Sequence, residues 1–141
     1  ETSTGTVTDV NLDGGLQDLT AASAKIKAAL EADPSIDAIF ALNADIAAKA
    51  ALPAAQELGR DLFIGTVDMS EDALNAIAAG DMQFAIDQQQ YAQGYLSVVL
   101  LYLNVTNAHS LGGGLPMYTG PGFVDASNVE AVIGLVAAGT R

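Results

Sequence analysis

The 141-residue chain has no cysteine, no tryptophan, a single histidine and only five basic residues. Without cysteine there is no disulfide, iron–sulfur cluster, thiol nucleophile or thiolate zinc site, and the redox compartment is left undetermined. One imidazole, His109, is too few for a His-rich metal site. Five Lys and Arg stand against 17 Asp and Glu, a net charge of −12. A surface this negative repels phosphate backbones and anionic membranes, which argues against a nucleic-acid partner. The sequence contains no apolar run of about 18 residues, so it offers no membrane-spanning helix. It opens at Glu1 without methionine and without a signal-like segment, which reads as a cut made by processing or truncation. Half of the residues are hydrophobic, but 26 are alanine, so bulky core groups are fewer than that fraction suggests. Abundant alanine favours helices packed closely on another layer. The length suits one domain with one core.

Short β-like runs alternate with helical stretches. Residues 6–10 (TVTDV) form a weak strand candidate, broken by Gly14-Gly15. Asp18 or Thr20 caps a helix to about Ala32, with Ile26, Ala29 and Leu30 on one face, and Asp33-Pro34 stops it. Residues 36–42 (IDAIFAL) read as a buried strand, followed by a helix from Asp45 to about Leu58 with Pro53 inside it and Gly59 as its cap. Residues 62–67 (LFIGTV) are the next strand. Ser70, Glu71 and Asp72 start another helix, with Leu74, Ile77 and Ala78 inward and Gly80 closing it. A strand at 83–86, a long helix at 91–106, a Gly-rich stretch at 112–114, an extended piece at 117–119, Phe123-Val124 and a helix at 127–138 complete the chain. Strands alternating with helices imply an α/β fold with a mostly parallel sheet and right-handed crossovers. Continuous apolar strands call for cover on both faces, a three-layer αβα arrangement.

Open parallel sheets bind ligands beyond the carboxyl ends of their strands. The residues at those ends are Asn43, Asp68 and Gln88, spaced by about one βα unit each. One carboxylate and two carboxamides facing one cleft supply donors and acceptors but no strong nucleophile, which suits a neutral polyhydroxylated ligand. Asn43 and Asp68 can also serve only as caps of the helices behind them, and the two roles can coexist.

Other signals are weaker. Asp9, Asn11, Asp13 and Gly14 match the opening of a calcium loop, but its twelfth place holds Thr20 rather than a bidentate Glu, so an Asx-rich turn is the simpler reading. Asn11 also follows a strand end and is a candidate for the cleft rim. The triple glycine at 112–114 lacks the Lys-Ser or Lys-Thr of a phosphate loop and reads as a flexible connection. Asn104-Val105-Thr106 is formally a glycosylation sequon, discounted inside a helix, and His109 reads as a solvated loop residue. Asp87 with Asp68 resembles an acid–base pair. No metal, nucleophile or source of shifted pKa accompanies it, so the chain is not read as an enzyme and no cofactor is expected. Tyr91 stands beside Gln88 and could border a ligand or pack at the helix start.

The stretches DPSIDAIFALNADIAAKAAL, FIGTVDMSEDALNAIAAGDMQFAIDQQQYAQGYL and TGPGFVDASNVEAV resemble the carboxy-terminal half of type I periplasmic sugar-binding proteins, the ribose-binding-like receptors of ABC transporters. The resemblance runs from about Asp33 to Val132. It implies a second-lobe fold and a sugar held between two lobes. It also implies a permease partner, a periplasmic or other extracytoplasmic location, and sugar hydrogen bonds from Asn43, Asp68 and Gln88. Met69 departs from the small residue often found after the Asp and could narrow the cleft. The calcium-like loop DVNLDGGLQ is similar to one in some sugar-receptor relatives, but lies elsewhere in the fold. Two lobes close on the ligand in this family, and the chain is about half the family's length. As the second lobe alone, residues 1–141 would form one wall of the cleft and bind sugar poorly. A second reading is the effector-binding core of a LacI-like regulator, whose basic headpiece has no counterpart in this sequence. A third, an enzyme on a flavodoxin-like sheet, lacks a phosphate-binding fingerprint.

The helix at 91–106 (YAQGYLSVVLLYLNVT) has 11 apolar residues of 16. Leu96, Val99, Leu100 and Leu103 make one stripe, widened by Tyr95, Val98, Tyr102 and Val105. A helix apolar on most sides needs burial. Exposure forfeits roughly 1.5–3 kcal/mol for each large side chain. In the family this helix belongs to the first lobe, so it is expected to pack against another chain or to fold back on this one. Sedimentation should therefore give a mass above that of a monomer. A clean monomer with this helix in solvent would reject self-association.

Overall fold

The computed structural model describes residues 5–12 and 14–141. Four strands, β1 (Ala38–Ala41), β2 (Phe63–Val67), β3 (Phe84–Asp87) and β4 (Gly122–Asp125), form one sheet in the order β1-β2-β3-β4. The first three are parallel, and β4 runs antiparallel to β3. Helix α1 (Leu19–Ala32) precedes β1. Helix α2 (Ala44–Ile46) continues through a π turn at Ala47–Ala51 into α3 (Leu52–Glu57). Then come α4 (Glu71–Ala79), α5 (Gln90–Asn107) and α6 (Val129–Ala137). Strands added in sequential order by right-handed crossovers put their connecting helices on one face. On that face α1 packs on the π turn and α3, and α4 packs on the π turn and α6.

The fold is α/β with a mostly parallel sheet, as the alternation of elements implies. Its core lies between the sheet and this helical layer. Ile64, Leu74, Ile77, Met82, Val124 and Val129 are fully buried. Ala47, Ala50, Ala51, Ala54 and Ala55 are buried to the last atom or nearly so. Their small side chains bring the α2–α3 segment close to its neighbours. Thr66 is also fully buried, and its hydroxyl donates to the Ala41 carbonyl at 3.1 Å. That bond satisfies a polar group that burial would otherwise penalise.

Caps follow the local chemistry. Asp18 accepts from the Ala21 N–H at 2.9 Å, and Ser70 accepts from the Ala73 N–H at 3.3 Å. Gly80, at φ 85°, closes α4 in the left-handed conformation that glycine adopts without penalty. The π turn lies just ahead of Pro53, where a regular helix would set the proline ring against the carbonyl four residues back. The widened turn absorbs the proline without ending the helix. Ala78 is exposed, and Ala73 takes its expected place on the inner face of α4. Residues 6–10 are not a strand. They are exposed and form no ladder, having too few large apolar side chains to anchor them on the sheet.

Coverage of the sheet differs from the expected three layers. All four phenylalanines of the chain, Phe40, Phe63, Phe84 and Phe123, lie on the face away from the helices, with Phe84 in the middle at about 6 Å from each of the others. Phe40, Phe63 and Phe123 are each more than half exposed. The described residues lay no helix over this face. Nor does α5 fold back, for none of its residues is buried. Although it is 18 residues long, no helix among the described residues is long and apolar enough to cross a membrane.

Gly65 pairs with Phe84 across the sheet, and the Phe84 ring lies over it. A Cβ at Gly65 would sit 2.4 Å from two ring carbons. Gly65→Ala should therefore push the ring out of its stack and cost roughly 1–3 kcal/mol by urea denaturation. Replacing Phe84 by Leu in the same chain should recover part of that loss. An unchanged urea midpoint in Gly65→Ala would show that the ring does not rest there.

Candidate ligand-binding site

The parallel register carries Asn43, Asp68 and Gln88 to one end of the sheet. Ala41 is level with Thr66, and Val67 with Ile86, so each polar residue follows its strand at nearly the same height. Asn43 is the N-cap of α2. Its Oδ1 accepts from the N–H of Asp45 at 2.9 Å and of Ile46 at 3.2 Å. Those bonds occupy the oxygen and leave the Nδ2 amide as the group it can offer a ligand. Capping thus leaves the amide group of this residue uncommitted to the cap.

Asp68 does not cap; Ser70 does so for α4. Its backbone N–H extends the ladder to the Ile86 carbonyl at 2.9 Å, while its φ of 69° turns the chain sharply out of the strand. A non-glycine residue held in the left-handed region carries a steric cost that neighbouring contacts must offset. The contacts here are on the side chain. Asp68 Oδ1 accepts from Gln88 Nε2 at 2.5 Å and from Gln90 Nε2 at 2.7 Å. Asp68 and Gln88 are therefore in direct contact, and Asn43 stands at the matching end of β1. Gln90 is the residue that sequence reasoning missed. It is the last of the Gln88-Gln89-Gln90 run and the first residue of α5. Its signal was that run, placed where a strand turns into a helix.

The turn after β3 is fixed from below. Asp87 is fully buried. It accepts from the Gln89 N–H at 2.6 Å and pairs with Arg141 Nε at 2.9 Å. Gln89 takes a positive φ of 58°. The Gln88 carbonyl accepts from Gln93 Nε2 and from the Thr119 hydroxyl, each at 2.9 Å. A Cβ at Gly120 would come within 2.8 Å of the Asp87 carbonyl oxygen, so the two segments that cross here touch backbone to backbone. Asp87 is thus paired with Arg141, and Asp68 with two carboxamides.

The three candidate rim residues differ in their surroundings. Met69 is half-buried and packs against the core. Tyr91 is exposed on α5 and stacks on Tyr95 with a centroid separation of 6.3 Å. Asn11 is exposed, and its carbonyl accepts from Lys25 Nζ at 3.4 Å. Asp13 of the calcium-like loop is outside the described residues, and among the described residues no group of three or more His, Asp or Glu is placed to hold a metal ion.

All five cations are engaged. Lys25 reaches the Asn11 carbonyl, and Lys27 pairs with Glu57 at 2.9 Å. Lys49 bridges Asp72 at 3.0 Å and Asp45 at 3.1 Å, tying α4 to the segment behind Asn43. The hydrogen bonds to Asp72 and then Asp45 raise its pKa above the ordinary lysine value. Their contribution to stability is thus complete below that value and is lost as pH rises through the folded one. Arg60 donates to the Leu30 carbonyl at 2.8 Å, the Pro34 carbonyl at 3.1 Å and the Ile36 carbonyl, at the opposite end of the sheet. Arg141 is held by Asp87. The strand-end site therefore offers one carboxylate and several carboxamides, with no cation to attract an anionic ligand.

A family model described as a periplasmic binding protein domain matches residues 3–108, more than half of the chain. The chain belongs to the periplasmic binding protein family. Among solved structures it is similar to a carbohydrate transporter from Acidothermus cellulolyticus in complex with myo-inositol, with 42% identity and a TM-score of 0.80 over 89% of this chain and 43% of that one. It also resembles an ABC transporter periplasmic solute binding protein from Actinobacillus succinogenes with bound D-allose, at 24% identity and TM-score 0.68, over 80% of this chain and 39% of that one. A sugar-binding protein of a Bacillus halodurans sugar ABC transporter gives 23% identity and TM-score 0.68, over 83% and 44%. The latter two similarities show the fold alone. The chain spans less than half of each of these structures. No curated protein matches the sequence.

The buried pair beneath this periplasmic binding domain's site gives a stability prediction. Arg141→Ala strands the Asp87 carboxylate in the interior, whereas Asp87→Ala removes the buried charge and frees a guanidinium that is already partly in solvent. Denaturant titration should show a loss of about 2–4 kcal/mol for Arg141→Ala and a smaller one for Asp87→Ala. The reverse order would show that the pair is not closed in solution.

Proposed function

We propose that the chain is the carboxy-terminal lobe of an extracytoplasmic solute receptor serving a bacterial ABC transporter, and that it binds a simple sugar or polyol through Asn43, Asp68 and Gln88. The observation that carries this reading is the Asp68 carboxylate, turned out of β2 at a positive φ and met by two carboxamides, while each cation has another partner. Neutral hydroxyls both donate and accept, and they are the partners such a set satisfies without a charge penalty. Family membership and the 42% identical relative solved with myo-inositol support the same ligand class.

In this reading α5 meets the first lobe of the receptor, and the open end of the sheet forms one wall of an interlobe cleft. Without that lobe, α5 is the surface for self-association. Binding is the whole of its chemistry. Closure of two lobes on a ligand shifts a population by differential affinity, and the transporter's permease reads the closed shape.

Saturation-transfer NMR of the chain with myo-inositol and D-allose tests the reading. Transfer to myo-inositol at millimolar concentration is expected, weak because only one wall is present. Asp68→Ala should abolish it while leaving the circular dichroism spectrum unchanged. Equal transfer in parent and Asp68→Ala would show that the ligand, if bound, sits elsewhere.

A further inference from the structure

We propose that Gln90 is a specificity-determining positioning residue that limits Asp68 to a one-oxygen grip on its ligand; this deepens, and rests on, the sugar-binding reading above. A carboxylate oxygen has about two acceptor positions. Both positions of Asp68 Oδ1 are taken, one by Gln88 Nε2 and one by Gln90 Nε2. No hydrogen bond to Oδ2 is found among the described residues. Ligand hydroxyls therefore approach Oδ2, while Oδ1 serves to hold the side chain still. The two carboxamides are not equivalent. The Gln88 backbone is pinned by Gln93 and Thr119, so Gln88 can trade its amide for a ligand hydroxyl without moving the chain. Gln90 begins α5, and its reach back to Asp68 is the side-chain link between that helix and the end of β2. It keeps Oδ1 occupied when Gln88 turns to the ligand. The chemical consequence is selectivity. A ligand that presents one well-placed hydroxyl to Oδ2 is accepted. One that needs a vicinal pair of hydroxyls laid across both carboxylate oxygens must first displace Gln90.

The test uses the intact chain with myo-inositol as probe, read by saturation transfer and by the dissociation constant from ligand titration. Asp68→Ala separates the two levels. Gln90→Ala should weaken myo-inositol binding about tenfold, the usual consequence of losing one hydrogen bond to a charged group. Gln90 is exposed, so its thermal midpoint should stay that of the parent. Gln90→Glu supplies a readout that a merely structural role would not move. Ionised, the new carboxylate repels Asp68, and binding should be lost at neutral pH. Protonated at mildly acidic pH, it donates as the amide did, and binding should return; Gln90→Ala should show no such recovery. Absence of transfer in the parent would overturn the sugar-binding reading and this inference with it. Parent-like affinity in Gln90→Ala, with binding lost in Asp68→Ala, would overturn this inference alone, as would failure of Gln90→Glu to recover on acidification.

Discussion

The site depends on the register of three parallel strands. Parallel pairing sets each strand against its neighbour along slanted hydrogen bonds, and in this sheet β1, β2 and β3 stop at nearly the same height. Wherever they stop, the next residue faces the same open end. That is why residues 25 and 20 positions apart in the chain come to the same end of the sheet. The Asp68 N–H extends the ladder by one more bond, to the Ile86 carbonyl, before its positive φ releases the side chain from the sheet. A one-residue slip would exchange the two faces of β2 and carry Asp68 to the place that Val67 now holds.

Much of this was legible in the amino-acid sequence, because parallel βα units leave strong signatures. Gly80, Ser70, Asp18 and the apolar runs marked the elements through local chemistry alone. Asn43 and Asp68 were legible as strand-end residues because each follows an apolar run directly, and Gln88 because it stands one residue beyond such a run. What was not legible depends on contacts between distant residues. Residues 6–10 alternate like a strand but pair with no strand among the described residues. Gln90 is one of three consecutive glutamines, and which of them reaches Asp68 depends on the positive φ of Gln89. Periodicity does not report that angle. The Asp87–Arg141 pair joins residues 54 apart, and neither has a neighbour in sequence that announces the other. The uncovered sheet face was missed for a different reason. The strands are as apolar here as if both faces were covered, so their composition does not mark a bare face.

The two exposed apolar surfaces and the polar strand ends belong to one arrangement. Phe40, Phe63 and Phe123, each more than half exposed around Phe84, are a surface that water does not favour, and α5 presents another. The described residues lay no helix over the phenylalanines. Between them the chain turns at 87–90, where Asp87 anchors the backbone from the core and Gln88 and Gln90 reach to Asp68. In the proposed receptor such a joint would combine a wall that stays rigid with a helix that leaves it for the other lobe. The buried Asp87–Arg141 pair supplies the rigidity, since a carboxylate out of water tolerates little displacement from its partner. Gln90 supplies the connection, because one side chain touches both the departing helix and the carboxylate proposed to hold the ligand. In the proposed receptor a tilt of α5 would reach Asp68 Oδ1 through this bond. In a two-lobed receptor this contact would make lobe position and ligand grip the same event, within the length of one glutamine side chain.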